Sequence, residues 1–237
     1  MADADFTVVF ALYPQVTQLD FTAPAEVFAR LPRARMIFAS VSGGELCAGG
    51  LTFAGLHRLA EVDACDLLCV PGGVGCSAAM EDAEYVGALR RLAGKARYIT
   101  SVCTGSLLLG AAGLLQGRRA ACHWAFRELL ELFGAIPDAG RVVRDGHIVS
   151  GGGVTAGIDM ALSVCAEIAG VAHAQAVQLA LEYAPEAPFA CGRPEAAPAE
   201  VVTAVRERLA RAAPERRAAA ERAARALTRD FARSGSV

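Results

Sequence analysis

Long apolar runs are missing from this 237-residue chain: none approaches the roughly 20 consecutive positions that a membrane-spanning helix requires. The first residues, MADADFTVVF, are acidic and carry no basic n-region, so no secretory leader is expected and the default location is the cytoplasm. An excess of charge of either sign is also missing. Lys+Arg number 23 against 25 Asp+Glu, for a formal net charge of −2. That balance offers no general field for nucleic acid or an anionic membrane, and no partner of either kind is expected. No CxxC pair occurs. Cys65 and Cys69 have the looser CxxxC spacing with no histidine at ligand distance, so no metal site is expected. GGGVTAG lacks the GxGxxG order and the GK[ST] ending, which argues against nucleotide binding.

What the chain does have is core material and thiols. Hydrophobic residues make up 54%, and mean hydropathy is +0.36. A chain this long and this apolar has no need of disulfide staples, so its eight cysteines read first as small buried thiols. Length alone allows one large domain or two small ones.

Strand-like and helix-like segments alternate. Phe6–Leu12, Arg35–Ser42, Cys65–Val70 and Arg97–Val102 are short apolar or β-rich runs, with a further short strand at Arg119–Cys122. Helices are expected from a Thr22 cap with Pro24 in the first turn, over Glu81–Ala93, from Ser106, and over Ala125–Phe133, Ile158–Ala169 and His173–Ala184. Leu51–Phe53 and Leu56–Arg58 form a small hairpin or excursion. Asp145-Gly146, between Arg141–Arg144 and His147–Ser150, is a type I′ hairpin signal. PEAPFACGRPEAAP is an irregular linker. Val201–Phe231 is helical with a break at Pro214, its interleaved Arg and Glu reading as a solvated face. This alternation predicts an α/β fold, a mostly parallel sheet with helices on both faces. Sites in such folds gather at the carboxyl ends of strands, here PGGVG after Val70, CTGS after Val102 and SGGGVTAG after Val149.

Cys103 differs from the other seven cysteines in its position. It follows a strand directly and precedes a helix, with Gly105 placed to allow a tight turn, as at a nucleophile elbow. The helix N-terminus would lower a thiol pKa there; the plainer alternative is a buried cysteine in a turn. Gly72 and Gly73 offer backbone amides to developing negative charge, or simply form a turn. Gly152 offers an anion contact at a helix start, and Val154 lines the same pocket. Asp20, in QVTQLDFTAP, either caps the helix or serves as an acid or base near the thiol. His123 reads as a supporting residue at a strand end rather than as the group that activates the thiol.

Taken together, FALYPQVTQLDFTAPAEVF, CVPGGVG, TSVCTGSLLLGAAGLLQGRRAACHWAF and SGGGVTAGIDMALSVCAE resemble the DJ-1/PfpI superfamily, and within it the isocyanide hydratase branch. The resemblance runs from about Phe6 to Pro198. It implies a flavodoxin-like three-layer sandwich, a catalytic unit over residues 1–198, and a C-terminal helical extension over 199–237 packed on it. It implies a homodimer, an isocyanide substrate and no cofactor. Cys103 falls on the nucleophile, Asp20 on the acidic residue of the first loop and Thr104 on the neighbouring threonine. Protease-like members carry histidine after the cysteine, and Thr104 departs from that pattern. Two other roles share the pattern: glyoxalase-, deglycase- or redox-type members with the same cysteine, and sensor domains of AraC-type regulators. The latter carry DNA-binding helices for which the stretch after Ala184 is too short.

Overall fold

The computed structural model of the chain describes residues 5–234. Its ten strands are β1 (Phe6–Ala11), β2 (Ala34–Ser40), β3 (Gly44–Ala48), β4 (Leu51–Arg58), β5 (Leu67–Val70), β6 (Tyr98–Val102), β7 (Arg119–Ala121), β8 (Ile136–Asp138), β9 (Val142–Asp145) and β10 (Ile148–Gly151). Eight form one sheet in the order β3-β4-β2-β1-β5-β6-β10-β9. The six strands from β4 to β10 in that order are parallel, and β3 and β9 are added antiparallel at the two edges. β7 and β8 pair separately.

The helices are α1 (Gln18–Phe28), α2 (Cys76–Glu81), α3 (Ala83–Ala93), α4 (Gly105–Ala111), α5 (Ala156–Ala169), α6 (Val171–Ala180), α7 (Ala199–Leu209) and α8 (Ala213–Ser234). α1, α5 and α6 pack together in one layer, and α2, α3, α4 and α8 in the other. The sheet between them is dry: Val8, Val9, Phe10, Leu67, Leu68 and Val70 are fully buried. Continuous apolar runs make such strands because both faces are covered. The expected α/β sandwich is the observed one.

Several local expectations need correction. α1 starts at Gln18 with Thr17 before it, so Asp20 lies in its first turn, where the helix dipole favours an acid. Thr22 is not a cap; its hydroxyl donates back to the Gln18 carbonyl at 2.9 Å. The Glu81–Ala93 helix is split at Asp82, whose side chain accepts from the Glu84 and Tyr85 N–H groups and starts α3 anew. Leu51–Arg58 is one strand, and its hairpin partner is β3. Ala125–Phe133 narrows to a 3-10 stretch over Arg127–Phe133. The hairpin between β9 and β10 and the break near Pro214 stand as expected, with Pro214 in the first turn of α8. The turn residues of that hairpin are Gly146 and His147, and only Gly146 has a positive φ, so the turn is not type I′.

α8 lies against α2 and α4. Its Ala219, Ala220, Ala223 and Leu227 are buried, and with them Arg216, which the interleaved charges had placed on a solvated face. These positions recur at three- and four-residue steps, so one stripe of the helix carries all of them inward.

Candidate active site

Successive strands leave β1 in opposite directions across the sheet, so the carboxyl ends of β1 and β5 flank a topological switch point. The loop after β1, the PGGVG loop after β5 and the elbow after β6 meet there. They are pressed together closely. A Cβ on Gly105 would lie 2.1 Å from the Val70 carbonyl oxygen, and one on Gly75 would lie 2.0 Å from that of Pro14. Glycine at these points is a requirement of backbone approach.

Cys103 occupies the elbow. Its φ is +58°, a left-handed conformation that costs an L-residue about 1–2 kcal/mol and sets the thiol apart from both strand and helix directions. Its N–H donates to the Gly151 carbonyl at 2.9 Å, and its carbonyl accepts from the His123 N–H at 3.3 Å. The residue is 6% exposed. Burial pushes the thiol pKa well above its ordinary value, and the nearby Asp20 charge pushes it the same way, while the Thr104 N–H opposes them. The expected lowering by the helix N-terminus is therefore present through Thr104 but outweighed.

Asp20 is fully buried. Its Oδ2 accepts from the Gly72 N–H at 3.0 Å, and its Oδ1 has no hydrogen-bond partner. Burial pushes its carboxyl up to about 7, against the pull of the Gly72 N–H and of the Cys103 thiol as donor. A carboxyl held near neutrality with a free oxygen is equipped to pass a proton either way. Thr104 is also buried, and its Oγ1 accepts from the Gly73 N–H at 3.0 Å.

The two glycine amides thus hold Asp20 and Thr104. The role expected for Gly72 and Gly73 toward developing charge is joined here by this structural one. Gly72 has no room for a side chain: a Cβ would lie 2.5 Å from the Thr104 nitrogen, 2.6 Å from Thr104 Oγ1 and 2.9 Å from Asp20 Oδ2. The amide left to face the thiol is that of Thr104.

Gly152, Val154 and His123 sit apart from this clamp. With Cys122, Trp124 and Gly153 they line a neighbouring cavity of about 230 Å³. Cys103 is tied to both of its walls through the Gly151 and His123 backbone bonds. His123 Nδ1 accepts from the Ala125 N–H at 3.4 Å, and burial followed by the Arg216 charge pulls its pKa down. Cys65 and Cys69 gather no metal-binding set among the described residues.

Three neighbours were not anticipated from sequence. Tyr13 donates its hydroxyl to the Pro71 carbonyl at 3.0 Å and pins the start of the glycine loop. The Cys76 thiol donates to the Thr104 carbonyl at 3.4 Å. Arg216 donates through Nη2 to the Gly73 and Val74 carbonyls at 3.0 and 3.1 Å.

Residues 6–167 match the family model described as the DJ-1/PfpI family. The chain belongs to the DJ-1/PfpI family. The matched DJ-1/PfpI segment contains Asp20, Gly72, Gly73, Cys103, Thr104, His123, Gly152 and Val154, whereas Arg216 lies beyond it. The isonitrile hydratase of Pseudomonas putida is 48% identical over 219 residues, 92% of this chain and 96% of that protein. A THiJ/PfpI family protein from Pseudomonas syringae, known from its crystal structure, has a TM-score of 0.88 at 39% identity, covering 92% of this chain and 91% of that one. The HTH-type transcriptional regulator GlxA of Rhizobium meliloti is 30% identical over 71% of this chain, but the match takes in only 53% of the regulator.

Proposed function

We propose that this chain is an isocyanide hydratase, adding water to an isocyanide to give an N-substituted formamide. The carrying observation is a buried thiol beside a buried carboxyl with a free oxygen, in a chain 48% identical over 92% of its length to the isonitrile hydratase of Pseudomonas putida.

The chemistry follows from what the two groups can exchange. The terminal carbon of an isocyanide accepts a nucleophile as it gains a proton. Cys103 Sγ forms a bond to that carbon while the thiol proton passes through Asp20 to the same carbon, leaving an S-linked thioimidate. Water then adds to the thioimidate carbon, with Asp20 taking its proton and delivering it to nitrogen. Collapse of this adduct breaks the C–S bond, the sulfur recovers a proton, and the formamide leaves. Each proton removed is returned, so the cycle consumes only isocyanide and water. Thr104 orients the site through its hydroxyl and lends its N–H to the sulfur. The cavity walls at Gly152 and Val154 receive the organic group of the isocyanide, and His123 supports the elbow from behind.

The reading extends to a cytoplasmic homodimer, for which light scattering at twice the 24.6 kDa of one chain is the expected mass. The deciding assay incubates purified protein with an alkyl isocyanide and follows formamide by proton NMR. Wild type should produce it and Cys103→Ala should not exceed the uncatalysed rate. No product from wild type, or equal product from Cys103→Ala, overturns the assignment.

A further inference from the structure

Arg216 is the least expected side chain near this site. It comes from α8, is 6% exposed, and is stacked 4.5 Å from the centre of the Phe126 ring. Its hydrogen bonds go to two backbone carbonyls of one loop, and its Nε is buried without an acceptor. Burying a guanidinium with incomplete hydrogen bonding is unfavourable for stability alone. The loop it grips is the one whose amides hold Asp20 and Thr104. Gly72 donates to Asp20 and accepts from the Thr17 N–H at 2.9 Å; Gly73 donates to Thr104. Without Arg216, the Gly73 carbonyl keeps only the longer bond from the Cys76 N–H, at 3.3 Å.

We propose that Arg216 is a positioning residue of the active site: by fixing the Gly73 and Val74 carbonyls, it holds the Gly72 and Gly73 amides on Asp20 and Thr104. α8 is then part of the catalytic apparatus. Loss of the guanidinium lets the loop relax, and Asp20 loses the N–H that partly offsets its burial. The titratable groups facing Asp20 are Cys103 at the elbow, Tyr13 after β1, Cys69 on β5 and Cys76 on α2. Of these, Cys76 also feels the Arg216 charge, which lowers its thiol pKa and which Arg216→Lys retains.

The kinetic arm of the test rests on the isocyanide reading; the titration arm does not. Arg216→Leu, Arg216→Lys and Arg222→Ala are compared with wild type, with folding checked by circular dichroism. Arg222 lies on the same helix but pairs with Glu81 and Glu215 at the surface. In Arg216→Leu, kcat should fall about tenfold to a hundredfold with KM nearly unchanged, as loss of alignment at a distance does. The Asp20 carboxyl, followed by 13C NMR in the free protein, should titrate at higher pH than in wild type. Arg216→Lys should recover part of both effects, and Arg222→Ala should match wild type in both. A folded Arg216→Leu with unchanged kcat and unchanged Asp20 titration overturns the proposal. If Arg216→Leu does not fold, Arg216→Lys is judged on the same two readouts, and wild-type values in both overturn it. If wild type forms no formamide, the isocyanide reading fails and the Asp20 titration alone decides the role of Arg216.

Discussion

Replacing Gly72 with alanine is a stringent probe of how this site is assembled. The backbone of Gly72 is not in the left-handed region, so alanine is conformationally allowed there. Any cost must come from the added methyl. It would sit 2.5 Å from the Thr104 nitrogen, 2.6 Å from its Oγ1 and 2.9 Å from Asp20 Oδ2, and the first of these is backbone. Restoring ordinary contact requires the PGG loop and the elbow to part by roughly an ångström, in an interior with no slack. Overpacking of this kind costs about 1–3 kcal/mol, and loss of the buried Gly72–Asp20 hydrogen bond adds about 1–3 kcal/mol. The expected total is about 2–6 kcal/mol, read as a lower urea midpoint at unchanged m-value. Because the same movement displaces Asp20 from Cys103, kcat/KM for formamide formation should fall about a hundredfold. Gly87→Ala is the matched control. Gly87 lies mid-helix in α3 with open space where the Cβ would go, so the same change should stabilise by about 0.5–1 kcal/mol. If Gly72→Ala unfolds at the wild-type midpoint with wild-type activity, the close meeting of Gly72, Thr104 and Asp20 does not hold the site.

Thr104→Val leaves the buried Gly73 N–H without its acceptor; the expected loss is about 1–3 kcal/mol, with a melting temperature lower by about 2–4 °C per kcal/mol, and Thr104→Ser should restore most of it. Asp20 binds its proton more tightly when folded, at about 7 against an ordinary 3.8, so the native state holds more protons than the unfolded chain between those values. Its contribution to stability therefore falls as pH rises from about 4 to about 7, by on the order of 4 kcal/mol, and Asp20→Asn should abolish that slope in urea melts at pH 5 and pH 8. Activity should run the other way: kcat/KM rises as one proton leaves the Asp20–Cys103 pair near pH 7, and a profile flat from pH 5 to 8 would refute a shared-proton mechanism.

The layers of the fold were legible because burial on both faces leaves a plain mark. FTVVFA and LLCV can be little other than central parallel strands, and the turn that follows each is where the site lies. The elbow was legible for the same reason: Cys103 stands between a five-residue strand and a glycine-opened helix. The start of α1 was not. Thr22 and Thr17 are both acceptable helix starters, and the choice falls to Thr17 through packing of the preceding loop on Gly73, which no local pattern reports. β8 was missed because three residues with a central proline carry no period. Sequence shows that the Gly72 and Gly73 amides are available, but not that Asp20 and Thr104 are acceptors that reach them. Arg216 did leave a signal. It lies in phase with Ala220, Ala223 and Leu227, and the interleaved glutamates drew attention away from that stripe.

A thiol whose pKa burial drives upward is at first sight a poor nucleophile. The contact with Asp20 removes the contradiction. In a dry site burial opposes a charge on either group, and the Asp20 charge further opposes one on the thiol. Moving a proton from Cys103 to Asp20 leaves the net charge of the pair unchanged, so it escapes most of the desolvation penalty that opposes free ionisation of the thiol. The thiolate is then formed as its proton reaches the group that must deliver one to the isocyanide carbon. A solvent-exposed, low-pKa cysteine would be ionised at rest, but it would have no proton beside it to hand on and would be open to oxidants. The arrangement instead demands that Asp20 be neither permanently charged nor permanently neutral near pH 7. The Gly72 N–H tempers the burial of Asp20 toward that middle value, and its placement depends on the glycine loop that Tyr13, Thr17 and Arg216 hold from three directions. Substitutions that loosen this loop should therefore move the acid limb of the pH–rate profile upward, whereas substitutions on the Gly152 and Val154 wall should alter KM and leave the limb in place.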